Sequence, residues 1–197
     1  MKKILIYGLF FSLLIFSGCS LKGANKIKDA NQNQTLPPVV SNEARLVARD
    51  AFSIEAPENW KESPALMPGI SLMMVNSTEA SARPEVKRIN FKSYFSISYA
   101  TLDEKNLEEY TAGLKKQLVN MVGDIEFQDL EPTVIDGRTA RVFSADLNQQ
   151  GLDFKFLMFV AAGKNKDVWM ISFNTLADDL EGYRDLFYKI ATSFKEK

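Results

Sequence analysis

Apolar residues recur along this chain with two periods, and each change of period marks a new element. From Ala51 to Glu55 apolar and polar residues alternate, which predicts a strand. It ends at Pro57-Glu58-Asn59, a turn that presents Trp60 and Lys61. Gly69 to Val75 predicts a second strand. Tyr94 to Tyr99 alternates strictly, with Phe95, Ile97 and Tyr99 on one face, and predicts a half-buried third. The period then lengthens. Leu107, Tyr110, Leu114, Leu118 and Met121 are spaced by three and four, the apolar stripe of a helix. Asn106 and Glu109 form a capping-box pair at its start, and Gly123 suits the position just past its end. Asp124 to Gln150 predicts a hairpin about Asp136-Gly137, a pair that supplies the positive φ angles of a type I′ turn. Leu152 to Ala162 and Val168 to Thr175 predict another, around Gly163 to Asp167. In its first arm Phe156 to Val160 is apolar at every position, so that strand is expected to be covered on both sides. A final helix is predicted from about Asp179 to Phe194. Leu180, Tyr183, Phe187, Ile190 and Phe194 make its stripe, and Asp178 with Glu181 makes a second capping pair.

Two amphipathic helices and a sheet apolar on both faces predict a layered α+β domain with a mainly antiparallel sheet. One stretch does not fit a period. Asn76 to Asn90 is polar, contains Pro84 and reads as a loop of about 15 residues. Loops that long are commonly functional. Arg83, Lys87 and Arg88, with Lys92 just beyond, are the candidate contact residues, suited to an acidic partner or anionic headgroups.

The start of the chain is built differently. Lys2 and Lys3 precede an uncharged apolar run from Ile4 to Phe16, then Ser17, Gly18 and Cys19. This is the layout of a secretory signal peptide, and the run is shorter than the ~20 residues of a membrane-spanning helix. Ile15-Phe16-Ser17-Gly18-Cys19 resembles the lipobox of bacterial lipoproteins, with Phe16 where leucine is usual. The resemblance implies a signal peptide over 1–18 and lipidation of Cys19, whose thiol takes the diacylglyceryl group. A flexible tether over 19–44 and a domain over 45–197 follow. The tether is rich in Asn, Gln and Lys and too polar to offset its ordering entropy.

Composition narrows the chemistry. The 24 Lys and Arg residues nearly balance 25 Asp and Glu, for a net charge of −1, which is no nucleic-acid signature. Cys19 is the single cysteine, so stability must come from packing rather than disulfides. The absence of histidine excludes histidine triads, histidine zinc ligands and histidine proton shuttles. No Gly-rich phosphate loop, Ser-x-x-Lys or Gly-x-Ser-x-Gly motif is present, and no catalytic, cofactor-binding or metal-ligating residue is assigned. Trp60, Trp169 and Met67, Met73 and Met74 are expected in the core. Asp178, Asp179 and Glu181 lack the spacing of a calcium loop.

The order of pieces resembles the PsbP-like superfamily, which includes photosystem II PsbP proteins, Ran-binding Mog proteins and DcrB-type lipoproteins. The resemblance is carried by Phe52 to Trp60, Gly69 to Val75, Leu107-Glu108-Glu109-Tyr110, Asp136-Gly137 followed by Ala140, and Ile190 to Phe194. It implies an α/β/α sandwich and a non-enzymatic accessory or binding role, without cofactor. The expected partners are a membrane, through lipid on Cys19, and another component of the bacterial cell envelope. Two alternatives remain: a small-ligand carrier, which a deep apolar pocket would favour, and a hydrolase without histidine. A cleft holding two carboxylates of raised pKa would favour the hydrolase.

Overall fold

The strands between Trp60 and Leu176 all find antiparallel partners and build one large twisted sheet. In the computed structural model, residues 43–64, 68–103, 105–123 and 125–197 are described. The proposed signal peptide, Cys19, residues 20–42 of the tether and Met67 lie outside them. The strands are β1 (Ala44–Ala48), β2 (Phe52–Pro57), β3 (Trp60–Glu62), β4 (Ile70–Asn76), β5 (Tyr94–Thr101), β6 (Glu126–Ile135), β7 (Arg138–Gln149), β8 (Leu152–Ala162), β9 (Asp167–Leu176) and β10 (Lys195–Glu196). The helices are α1 (Pro84–Ile89), α2 (Leu107–Val122) and α3 (Leu180–Thr192), the last entered through a single 3-10 turn at Ala177–Asp179. Seven strands pair in the order β3-β4-β5-β9-β8-β7-β6, and β1-β2-β10 form a small second sheet.

The large sheet is the middle layer. One face carries Phe95, Ile97, Leu157, Phe159, Ile171 and Phe173, which pack against β2 and α3. The other carries Phe143, Phe156, Met158, Val160 and Met170 beneath α1 and α2. The fold is therefore an α+β sandwich of α/β/α type, with β1, β2 and β10 sharing the α3 layer. Every residue of β8 from Phe156 to Val160 is buried, as the unbroken apolar run requires. Trp60, Met73, Met74 and Trp169 are also buried.

Local chemistry accounts for the turns and caps. Asp136 and Gly137 both have positive φ (51° and 76°), so the hairpin between β6 and β7 closes as a type I′ turn requires. At the start of α2 the Asn106 side chain accepts from the Glu109 amide at 2.9 Å, and Glu109 accepts from the Asn106 amide at 3.1 Å.

Several expectations are corrected. The stretch read as a loop contains α1: Pro84 sits in its first turn, where its missing N–H costs nothing, and Asn90 ends it at φ 50°. β5 is buried on both faces from Tyr94 to Ser98 because helices cover the sheet on one side and α3 covers it on the other; Tyr99, expected on the buried face, is 59% exposed. Met121 is exposed at the end of the α2 stripe. Asp178 and Glu181 form no capping box. Asp178 is held by Arg83 and Glu181 by Arg184, and α3 has no side-chain cap. α3 ends at Thr192, although Phe194 still packs in the core beyond it. Strand β1 begins at Ala44, inside the range assigned to the tether.

Candidate functional site

The registers bring one set of termini to the same end of the sandwich. Ala44 pairs with Pro57, Trp60 with Asn76, Val75 with Tyr94 and Tyr94 with Asn174. That end therefore holds the first described residue, Glu43, the ends of β4 and β9, the start of β5, and the segment carrying α1. Backbone bonds stitch it together: Glu58 donates to the Glu43 carbonyl at 3.1 Å and Ser77 to the Asn59 carbonyl at 3.1 Å. Asn59 Nδ2 donates to Thr78 Oγ1 at 2.8 Å.

Beneath this surface lies a buried polar network, in a stretch that the sequence pattern reads as a polar contact loop. Ser93 donates from its backbone N–H to one Glu79 oxygen and from its hydroxyl to the other at 2.8 Å. That spends the Ser93 proton, so Thr175 must be the donor in their 2.8 Å contact. Asn76 Nδ2 donates to the Tyr183 hydroxyl at 2.8 Å. Burial raises the Glu79 carboxyl above its ordinary range despite the two bonds from Ser93, and the nearby Asp179 charge adds to the rise. Tyr183 is raised for the same first reason, then by the charge of Glu79. Asp179 is raised by burial, which outweighs the Arg83 guanidinium beside it.

Two carboxylates of raised pKa are thus present, but not as a cleft. Both Glu79 oxygens are occupied by Ser93, an arrangement that holds the segment onto β5. Among the described residues no group of three or more acidic or cysteine side chains is placed to hold a metal ion.

The four cationic candidates divide into two pairs. Arg83 reaches Asp178 at 3.1 Å and Asp179 at 3.9 Å, fastening the start of α1 to the start of α3. Lys92 donates to the Ser77 carbonyl at 2.6 Å. Lys87 and Arg88, in the last turn of α1, are exposed, and neither forms an ion pair among the described residues. Only Val86 of α1 is buried, and it belongs to the apolar cluster that α2 shares with the sheet. The geometry thus presents two free cations on a helix pinned by Arg83, Glu79 and Lys92.

The architecture matches solved structures. The solution structure of cyanobacterial PsbP (CyanoP) from Synechocystis sp. PCC 6803 aligns with a TM-score of 0.57 at 14% identity, covering 85% of this chain and 100% of that one. LpqN of Mycobacterium tuberculosis, described as involved in cell envelope biogenesis, aligns at 0.54 with 15% identity, covering 79% and 91%. The protein of unknown function PA94 from Pseudomonas aeruginosa, described as a putative regulator, aligns at 0.52 with 15% identity, covering 77% and 96%. No family profile and no curated protein matches the sequence. At these identities the likeness establishes the fold alone, and that fold is PsbP-like.

Proposed function

We propose that this protein is an extracytoplasmic lipoprotein, anchored through Cys19, whose PsbP-like domain is a non-enzymatic binding module for another envelope component. One observation carries the reading. The chain enters the domain at the same end that displays Lys87 and Arg88, so an anchor on residue 19 would hold those cations toward the membrane and whatever lies on it. The charged start, short apolar run and small residues before Cys19 support export and acylation. A multiply acylated cysteine meets the requirement of more than one chain for stable anchoring. Among the described residues no helix is long and apolar enough to cross a membrane, so the domain itself offers no helical anchor. The description of LpqN agrees with an envelope role. A hydrolase reading would draw on Glu79 and Asp179, and the use of both Glu79 oxygens to tie the segment to Ser93 speaks for a structural role instead.

The test is photo-crosslinking in a bacterial host with a photoreactive residue at Arg88, and separately at Val134 near the opposite end. Adducts from position 88 that depend on Cys19 are the expected result. Equal adducts from both positions, or none from position 88, would overturn the proposed orientation.

A further inference from the structure

On the other flank of the α3 start, helix and sheet fail to meet. α3 begins at Leu180, and the face of β6, β7 and β8 beside it is left as an open cavity of about 260 Å³. Its floor is apolar, from Leu130, Leu157 and Leu180. Ser144 lies between Gln128 and Leu157 in the strand register and is only 3% exposed. It lines the cavity, and its hydroxyl has no hydrogen-bond partner among the described residues. The hydroxyl can therefore donate to a polar atom of a ligand held in the cavity.

The rim supplies four charges of zero net sign. Lys155 sits directly across from Asp146 and contacts both its oxygens at 2.6 Å. Arg184 contacts Glu181 at 3.0 and 3.1 Å. The acids are the wetter members, with Asp146 63% and Glu181 84% exposed. Exposed pairs of this kind hold together weakly, so exchanging one for a ligand charge costs little. A lone anion would satisfy the two cations but leave both acids facing it, and a lone cation would do the reverse. A ligand bearing both charges keeps every rim group paired.

We propose that this cleft binds a small zwitterion with an apolar side chain, the chemistry of an apolar α-amino acid. Its carboxylate would lie against Lys155 and Arg184 and accept from the Ser144 hydroxyl. Its ammonium would lie against Asp146 and Glu181, and its side chain on the three leucines. The volume suits a single such molecule and is small beside drug-sized pockets. The site is independent of the anchor and of α1.

The test is calorimetric titration of the purified full chain in detergent with L-leucine, leucinamide and N-acetyl-leucine. Saturable binding of leucine is expected, weakened roughly tenfold or more in the amide and in the acetylated compound, because each removes one charge. Lys155→Met should weaken leucine by a similar factor while leaving the thermal midpoint near wild type. Arg184→Gln, at a half-exposed position, gives a second reading should Lys155→Met not fold. No saturable heat with leucine up to about 10 mM would overturn the proposal. Equal binding of all three compounds, or leucine binding unchanged in a folded variant, would overturn it as well.

Discussion

Phe187→Ala probes the packing that joins α3 to the sheet. The Phe187 ring is fully buried and stacks 4.5 Å from Phe173 and 5.1 Å from Tyr183, with Trp60 edge-on at 6.4 Å. Truncating a buried Phe costs about 3–5 kcal/mol through lost transfer energy and the cavity left behind. Each aromatic pair adds about 0.5–1.5 kcal/mol beyond its area, and this ring makes three, so the upper part of the range is expected, about 4–5 kcal/mol. Most domains have only ~5–15 kcal/mol in total. At roughly 2–4 °C per kcal/mol for a domain of this size, the midpoint should fall by roughly 8–20 °C. Urea unfolding of residues 20–197, followed by tryptophan fluorescence, measures the loss directly, because Trp60 touches the altered ring. The slope should stay unchanged while the midpoint moves, since the variant should still unfold as one unit. Val134→Ala, at a 60% exposed site on β6, is the control and should stay within about 0.5 kcal/mol of wild type. A loss below about 1 kcal/mol for Phe187→Ala would refute the packing argument.

Three further expectations concern polar groups and a turn. Glu196 feels the upward push of burial, but the Trp169 indole N–H, Arg138 and the Lys164 amide together hold its carboxyl below the ordinary 4.5. Its folded pKa is therefore below its unfolded one, so its stabilisation is present above pH 4.5 and is lost as pH falls through the folded value. Glu196→Gln should destabilise by about 1–3 kcal/mol at pH 7, and its urea midpoint should converge with wild type in strong acid. Glu79 has the opposite sign: its folded pKa is raised, so the cost of ionising it grows as pH climbs from 4.5 through the folded value. Glu79→Gln should flatten that part of the pH–stability curve, and an unaltered slope would refute the burial of its charge. Gly137→Ala places a Cβ at φ 76° and should cost about 1–2 kcal/mol in the same urea assay.

What the sequence disclosed followed the range of the forces involved. α2 was legible because its stripe and its Asn106–Glu109 cap are local, and the β6–β7 turn because Asp136-Gly137 carries its own backbone preference. β8 declared its double burial through an unbroken apolar run. β1 was missed because Val47 is its single buried residue, and one apolar contact makes no period. α1 was missed for the same reason, though Pro84 at a helix start was an available signal. Asp178 deceived a local reading: its spacing to Glu181 suits a cap, while its actual partner, Arg83, lies 95 positions away. Ser144 was invisible as a candidate. Alternation puts it on a covered face, and only the place where α3 begins leaves it uncovered.

The claim on which the functional account depends most is acylation of Cys19. The direct measurement is metabolic labelling of the full chain in a bacterial host with a clickable fatty acid, alongside Cys19→Ala, followed by membrane fractionation. The account predicts label on the wild-type chain that stays with the membrane, and an unlabelled Cys19→Ala chain released from it. A wild-type chain that takes up no label would contradict the account.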